Sequence, residues 1–301
     1  MITVCYAPEA LCLYEIKYIP STLNFISKIY DLVQSSNRVI LDFSRTKTIT
    51  AAASVVLFAH VNRIQLFWNN PNLFVFRCKN SPLYQSFFIP CYLQALQAGT
   101  EEKLKILEQQ KHLYQSGTLP HLKLAALKNH FKIVRMNYPS QSTVFKTLLL
   151  LETAMYEALL NVNHHAYLGV NPQSPTRWWQ QLRIDIRNNQ LSFIVYDLGI
   201  GIVESYLEHG IANITSLFHS KTDILRDILK PGVSRWNSIE RGNGFTEMLR
   251  PSQFTSNVGT WIFSNNLHFK YFPKFKIDFC EEMPYTVPGT LIEWVVDLKD
   301  D

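Results

Sequence analysis

The sequence predicts an α/β protein, and two observations predict it. Strand-like and helix-like segments alternate through roughly the first hundred residues, the pattern of a small α/β layer. Further on, a long apolar helix is followed by two strands, a glycine turn and two more strands. The chain's 301 residues have room for two ordinary domains, and a hydrophobic content of 47% is enough for well-packed cores.

The elements follow in order. Leu23, Ile26, Ile29, Tyr30 and Val33 recur at helical spacing, which predicts an amphipathic helix over 21–34. Residues 38–44, Arg-Val-Ile-Leu-Asp-Phe-Ser, read as a buried strand, and an apolar helix follows over 51–67. A strand at 73–78 and a helix at 82–96 complete this part. Residues 97–129 are richer in Glu, Lys and Gln. A polar helix is expected over 101–114, broken by Ser116-Gly117-Thr118-Leu119-Pro120, and the domain connection is placed here. A long helix is predicted from Ser142 to His165. Trp178–Ile186 and Leu191–Asp197 read as strands joined by the hairpin signal Arg187-Asn188-Asn189-Gln190, and Val258–Ser264 and Thr290–Val296 as two more.

Composition removes several function classes. The net charge of +5 is modest and the Lys and Arg residues are scattered, which argues against a dedicated nucleic-acid binder. The five cysteines are odd in number and lack CxxC spacing. Neither a zinc site nor a disulfide framework follows, and a reducing cytoplasm is the expected compartment. The amino-terminal residues show no signal peptide, and no apolar run suggests a transmembrane helix.

Three short motifs carry the chemistry. The first is Glu157-Ala-Leu-Leu-Asn161-Val-Asn-His-His165-Ala-Tyr167. Its Glu157, Asn161 and His165 recur every four residues and so share a helix face bearing a carboxylate, an amide and an imidazole. The second, Asp197-Leu-Gly199-Ile-Gly201, sits where a strand ends in a glycine turn. The third, Arg241-Gly242-Asn-Gly244-Phe245, is a turn where the backbone can approach a ligand. Of only 11 glycines, four lie in these two turns, so glycine is spent where the backbone needs it. Neither a Walker GxxxxGK[ST] nor a Rossmann GxGxxG pattern occurs in the chain.

In this order the motifs resemble the N, G1 and G2 boxes of the GHKL ATPases, over roughly residues 130–298. The first box looks most like that of anti-sigma-factor serine kinases, in which Glu-Ala-x-x-Asn is followed by a His-small-Tyr ending. The resemblance implies an α/β sandwich with a mixed, largely antiparallel sheet, with ATP and Mg2+ as cofactors. It implies Glu157 as general base, Asn161 as magnesium ligand, His165 near the phosphates or ribose, and Asp197 as acceptor for the adenine amino group. Gly199 and Gly201 would let the chain pass close to the base. Gly242 and Gly244 would open a helix toward the phosphates beside Arg241, and Gly289-Thr290 would support the phosphate site. Residues 203–240 would form a lid, with Lys221, Lys230, Arg235 and Arg241 as candidate γ-phosphate contacts and Pro231-Gly232 as a hinge. Phe245 stands where the family usually has Leu. Each residue also has a plain alternative: a helical Glu is commonly a surface residue, a buried amide commonly bonds backbone, and Asp-x-Gly is a common turn.

Leu41-Asp42-Phe43-Ser44 followed by a helix resembles the STAS domain of anti-sigma-factor antagonists, over about residues 1–100. There the family carries a phosphoacceptor serine at the start of the helix, whereas Ala52 falls on that position here. The sequence thus predicts a STAS-like α/β domain (1–100), a helical connector (101–129) and a GHKL ATP-binding domain (130–301). The expected function is a cytoplasmic, bacterial-type Mg-ATPase that hydrolyses slowly or acts as an ATP-driven switch on a protein partner or by self-association, in a regulatory, stress or defence setting. A serine/threonine kinase of the anti-sigma type and a non-hydrolysing nucleotide sensor are the alternatives.

Overall fold

A computed structural model describes residues 2–36, 38–118, 131–132, 134–167, 176–185, 188–208, 220–229 and 244–299. The chain divides into two compact units: residues 1–116 with Trp179–Gln181, and residues 117–178 with 182–301.

In the first unit, β1 (Ile2–Tyr6), β3 (Arg38–Asp42) and β5 (Phe74–Arg77) form a parallel sheet in the order β1-β3-β5, with a short parallel pair of β2 (Ala10–Leu11) and β4 (Thr48–Ile49). Helix α1 (Ile19–Ser35) buries Phe25, Ile26, Ile29 and Val33; Leu23, expected in that stripe, is only half-buried. Helix α2 (Ala51–Phe67) is buried nearly all round, as its mainly apolar sequence, with no polar face, dictates. Its buried polar residues are bonded: His60 to Tyr30 at 2.7 Å, and Asn62 to the Ala98 carbonyl at 2.8 Å and the Trp179 indole at 2.9 Å. A π-helical stretch (Tyr84–Tyr92) runs into α3 (Leu93–Leu96).

The helix expected over 101–114 is shorter. Helix α4 spans Glu101–Gln109, and Tyr114–Gly117 is a strand, β6. The helix stops because Lys111 takes a left-handed backbone (φ 54°). Tyr114 is then fully buried, its hydroxyl bonded to Ser54 and Gln181.

In the second unit α5 (Thr143–Asn161) is capped by Ser142, whose Oγ accepts from the Phe145 amide at 3.1 Å. Val144, Leu148, Leu151, Met155 and Leu159 form its buried stripe. Then come β7 (Trp178–Asp185), β8 (Gln190–Asp197), α6 (Ile202–Glu208), α7 (Lys221–Ile228), α8 (Gly244–Phe254), β9 (Val258–Phe272) and β10 (Ile277–Asp297). The mostly antiparallel five-stranded sheet runs β6-β7-β8-β10-β9. β10 lies antiparallel to both β8 and β9, with Thr290 opposite Asp197 and Ser264. Leu148, Leu151, Phe193, Ile262 and Trp294 share the core between helices and sheet.

The last two strands are far longer than their sequence signals. Val258–Ser264 and Thr290–Val296 are the roots of one long hairpin. Asn265, Asn266, Pro284, Pro288 and Gly289 are residue types that favour turns, but the sheet absorbs them, with register shifts between Glu282 and Val287 and between Val287 and Thr290.

Candidate functional site

Glu157 and Asn161 lie one turn apart on α5, both half-buried at the edge of its apolar stripe. The α-helix ends at Asn161. Val162–Ala166 continues as a π-helical turn, so the single α-helical face expected to reach His165 is not formed. The wider turn has a consequence for the chain that follows: the Ala166 carbonyl accepts from the Ile200 amide at 2.7 Å. The His165 side chain lies outside the described residues.

Two further contacts join the first motif to the second. The Tyr167 hydroxyl accepts from the Leu198 amide at 3.1 Å and donates to the Arg177 carbonyl at 2.6 Å. A Cβ at Gly199 would stand 2.1 Å from the Ala166 carbonyl oxygen, so only glycine allows this approach. The second motif is thus laid directly on the end of the first.

Asp197 closes β8 with 4% of its surface exposed. Burial pushes its carboxyl up to about 7, against the opposing pull of the Gly199 and Thr290 backbone amides. The Gly199 amide donates to Oδ1 at 2.8 Å. Gly201 (φ 90°) and Gly289 (φ 79°) both occupy the left-handed region, and a Cβ at Gly289 would sit 2.1 Å from the Asp197 carbonyl oxygen. Thr290, next in chain, is buried.

The third motif meets the first through α8. Asn161 Nδ2 lies 3.9 Å from Met248 Sδ, and the Trp294 indole donates to the Met248 carbonyl at 2.8 Å, pinning α8 to the sheet. α8 opens at Gly244, as the glycine turn predicts; Arg241 and Gly242 lie outside the described residues. Burial raises the Glu157 carboxyl, with a second contribution from the charge of Glu247 on α8. Glu247 is itself forked onto Arg250 at 2.8 and 3.0 Å. The other carboxylate of α5, Glu152 at its middle, is ion-paired with Arg135, whereas Glu157 has no cationic partner among the described residues.

Of the candidate lid cations, Lys221 is engaged by Glu204 at 2.8 Å. Lys230, Arg235 and the Pro231-Gly232 turn, like Arg241, lie outside the described residues. Sequence reasoning missed Glu247, Ser264 and Asn265. Glu247 lies two residues past the end of the third motif, a proximity that could have flagged it. The Asn265-Asn266 pair reads only as a turn. Among the described residues no cluster of three or more His, Cys, Asp or Glu side chains could hold a metal ion, and no helix is long and apolar enough to cross a membrane.

Comparison with protein-family models, with curated proteins and with solved structures returns no significant match.

Proposed function

We propose that the second unit binds Mg-ATP in the manner of the GHKL ATPases and uses it for slow hydrolysis or as a conformational switch acting on a protein partner. One observation carries this: segments far apart in sequence converge on one place. The end of the first motif bonds the glycine turn of the second, α8 after the third packs against Asn161, and Gly289-Thr290 closes over Asp197.

The residues fit their roles. Asp197 would accept from the adenine amino group, for which an ionised carboxylate is an acceptor-only partner. Glycines at 199 and 201 keep side chains out of the turn beside it. Asn161 has its amide nitrogen turned to Met248, which leaves Oδ1 as the end for a magnesium ion, a cation that takes oxygen donors and retains several waters. Magnesium, when bound, supplies charge neutralisation on the phosphate oxygens. Glu157 would take the proton of the attacking water; a carboxyl raised by burial is a stronger base near neutral pH than an exposed one.

The anti-sigma kinase alternative rests on the first-motif likeness. The first unit offers no acceptor at the family's position: Ala52 is fully buried, and Ser54 is buried with its hydroxyl bonded to the Ala51 carbonyl at 2.7 Å and to Tyr114 at 2.8 Å. The deciding experiment is calorimetric titration with Mg-ATP together with turnover. Glu157→Ala should retain binding and lose turnover about 10²–10⁴-fold. Asn161→Ala should weaken the magnesium-dependent binding itself. Absence of any Mg-ATP binding by the parent chain refutes the proposal. Stoichiometric phosphate on residues 44–54 after ATP incubation would favour the kinase.

A further inference from the structure

Asn265 lies in none of the three motifs, yet its side chain reaches both glycine steps that flank Asp197. Its Nδ2 donates to the Ile200 carbonyl at 2.7 Å and to Glu204 at 3.1 Å, and its Oδ1 accepts from the Gly289 amide at 3.2 Å. The neighbouring Ser264 Oγ accepts from the Ile202 amide at 2.8 Å. To do this, Asn265 adopts a left-handed backbone (φ 53°), a conformation that asparagine tolerates better than most residues. The fit is close: a Cβ at Gly201 would lie 2.5 Å from Asn265 Nδ2. One amide thus uses its donor end on the turn after Asp197 and its acceptor end on the step before Thr290.

We propose that Asn265 is a positioning residue for the nucleotide, clamping the Ile200–Gly201 and Gly289 steps so that Asp197 and Thr290 face one ligand. This rests on the Mg-ATP assignment above and names what sets that pocket's shape. Glu204 shares the same Nδ2 and is held in turn by Lys221 at 2.8 Å, so the clamp also ties the turn to α7. Asn265 has no contact with the reacting groups, and its effect should fall on binding alone.

Two substitutions separate the hydrogen bonds from the backbone conformation. Asn265→Gly keeps the left-handed backbone and loses both ends of the amide. Its KM for Mg-ATP should rise about tenfold to a hundredfold, the usual cost of stranding buried polar groups, with kcat unchanged because Glu157 is untouched. Asn265→Asp keeps the acceptor for Gly289 but faces a carboxylate toward Glu204. Adding Glu204→Gln restores a donor to that pair and should recover part of the lost affinity. A merely structural role would predict no such rescue. Amide exchange at Gly289 and across residues 198–202 reads the clamp without nucleotide, and should quicken in Asn265→Gly. If the parent binds no Mg-ATP but exchange quickens there, the ATP assignment fails and the clamp stands. Parent-like KM in Asn265→Gly, or unchanged exchange, overturns the clamp.

Discussion

Asp197 offers the sharpest quantitative test, because its burial makes both stability and ligand affinity depend on pH. Its carboxyl is raised from 3.8 to about 7. At about 1.36 kcal/mol per pKa unit, holding it ionised in the fold costs about 4 kcal/mol relative to the unfolded chain. The sign follows from proton counting. Below 3.8 both states are protonated and there is no cost. Between 3.8 and about 7 the folded state holds the extra proton, so stability falls as pH rises. Above about 7 both states are ionised and the full cost is present. Asp197→Asn removes this slope while keeping an oxygen for the Gly199 amide. Denaturant unfolding of the parent and of Asp197→Asn between about pH 5 and about pH 8, a window spanning the shifted pKa, should show the difference between them narrowing toward acid. A ligand that donates to the carboxylate favours its ionised form. Mg-ATP affinity should therefore rise with pH up to about 7 in the parent and lose that component in Asp197→Asn, where affinity itself falls about tenfold to a hundredfold. Calorimetry in two buffers of different ionisation enthalpy would register the proton released on binding. Parallel stability profiles for the two proteins, or equal ATP affinity, would refute the placement of Asp197 at the base of the pocket.

Other consequences concern packing and the proposed catalytic carboxylate, Glu157. Gly199→Ala drives a methyl into the Ala166 carbonyl at 2.1 Å, a backbone contact with no side chain to give way; about 1–3 kcal/mol of stability should be lost, with Mg-ATP binding, measured by denaturation and titration. Glu247→Gln removes the neighbouring charge that helps raise Glu157, so the acid limb of the turnover-versus-pH profile should move to lower pH. An unmoved acid limb would separate Glu247 from the catalytic group.

Where the sequence pattern was strong, the elements followed it. The span of α2 could be read from the mainly apolar stretch over 51–67, and the start of α5 near Ser142 from the apolar helical stretch that follows it, because both are set by local chemistry. The roots of β8, β9 and β10 followed from apolar strand signals. The three motifs, through the family they resemble, named Glu157, Asn161, Asp197 and the glycines as candidates. What those signals could not carry was everything set by distant partners. Tyr114–Gly117 became a strand because Tyr114 has a buried place beside Ser54 and Gln181. The α-helix gave way to a π turn before His165 as the Ala166 carbonyl met an amide 34 residues on. Asn265, Pro284 and Pro288, which locally favour turns, were drawn into a long hairpin whose register shifts accommodate them. The sequence by itself determined which chemical groups are available and where the chain can bend. The tertiary structure decided which of them meet, because hydrogen bonds and close glycine contacts between distant segments have no local signature.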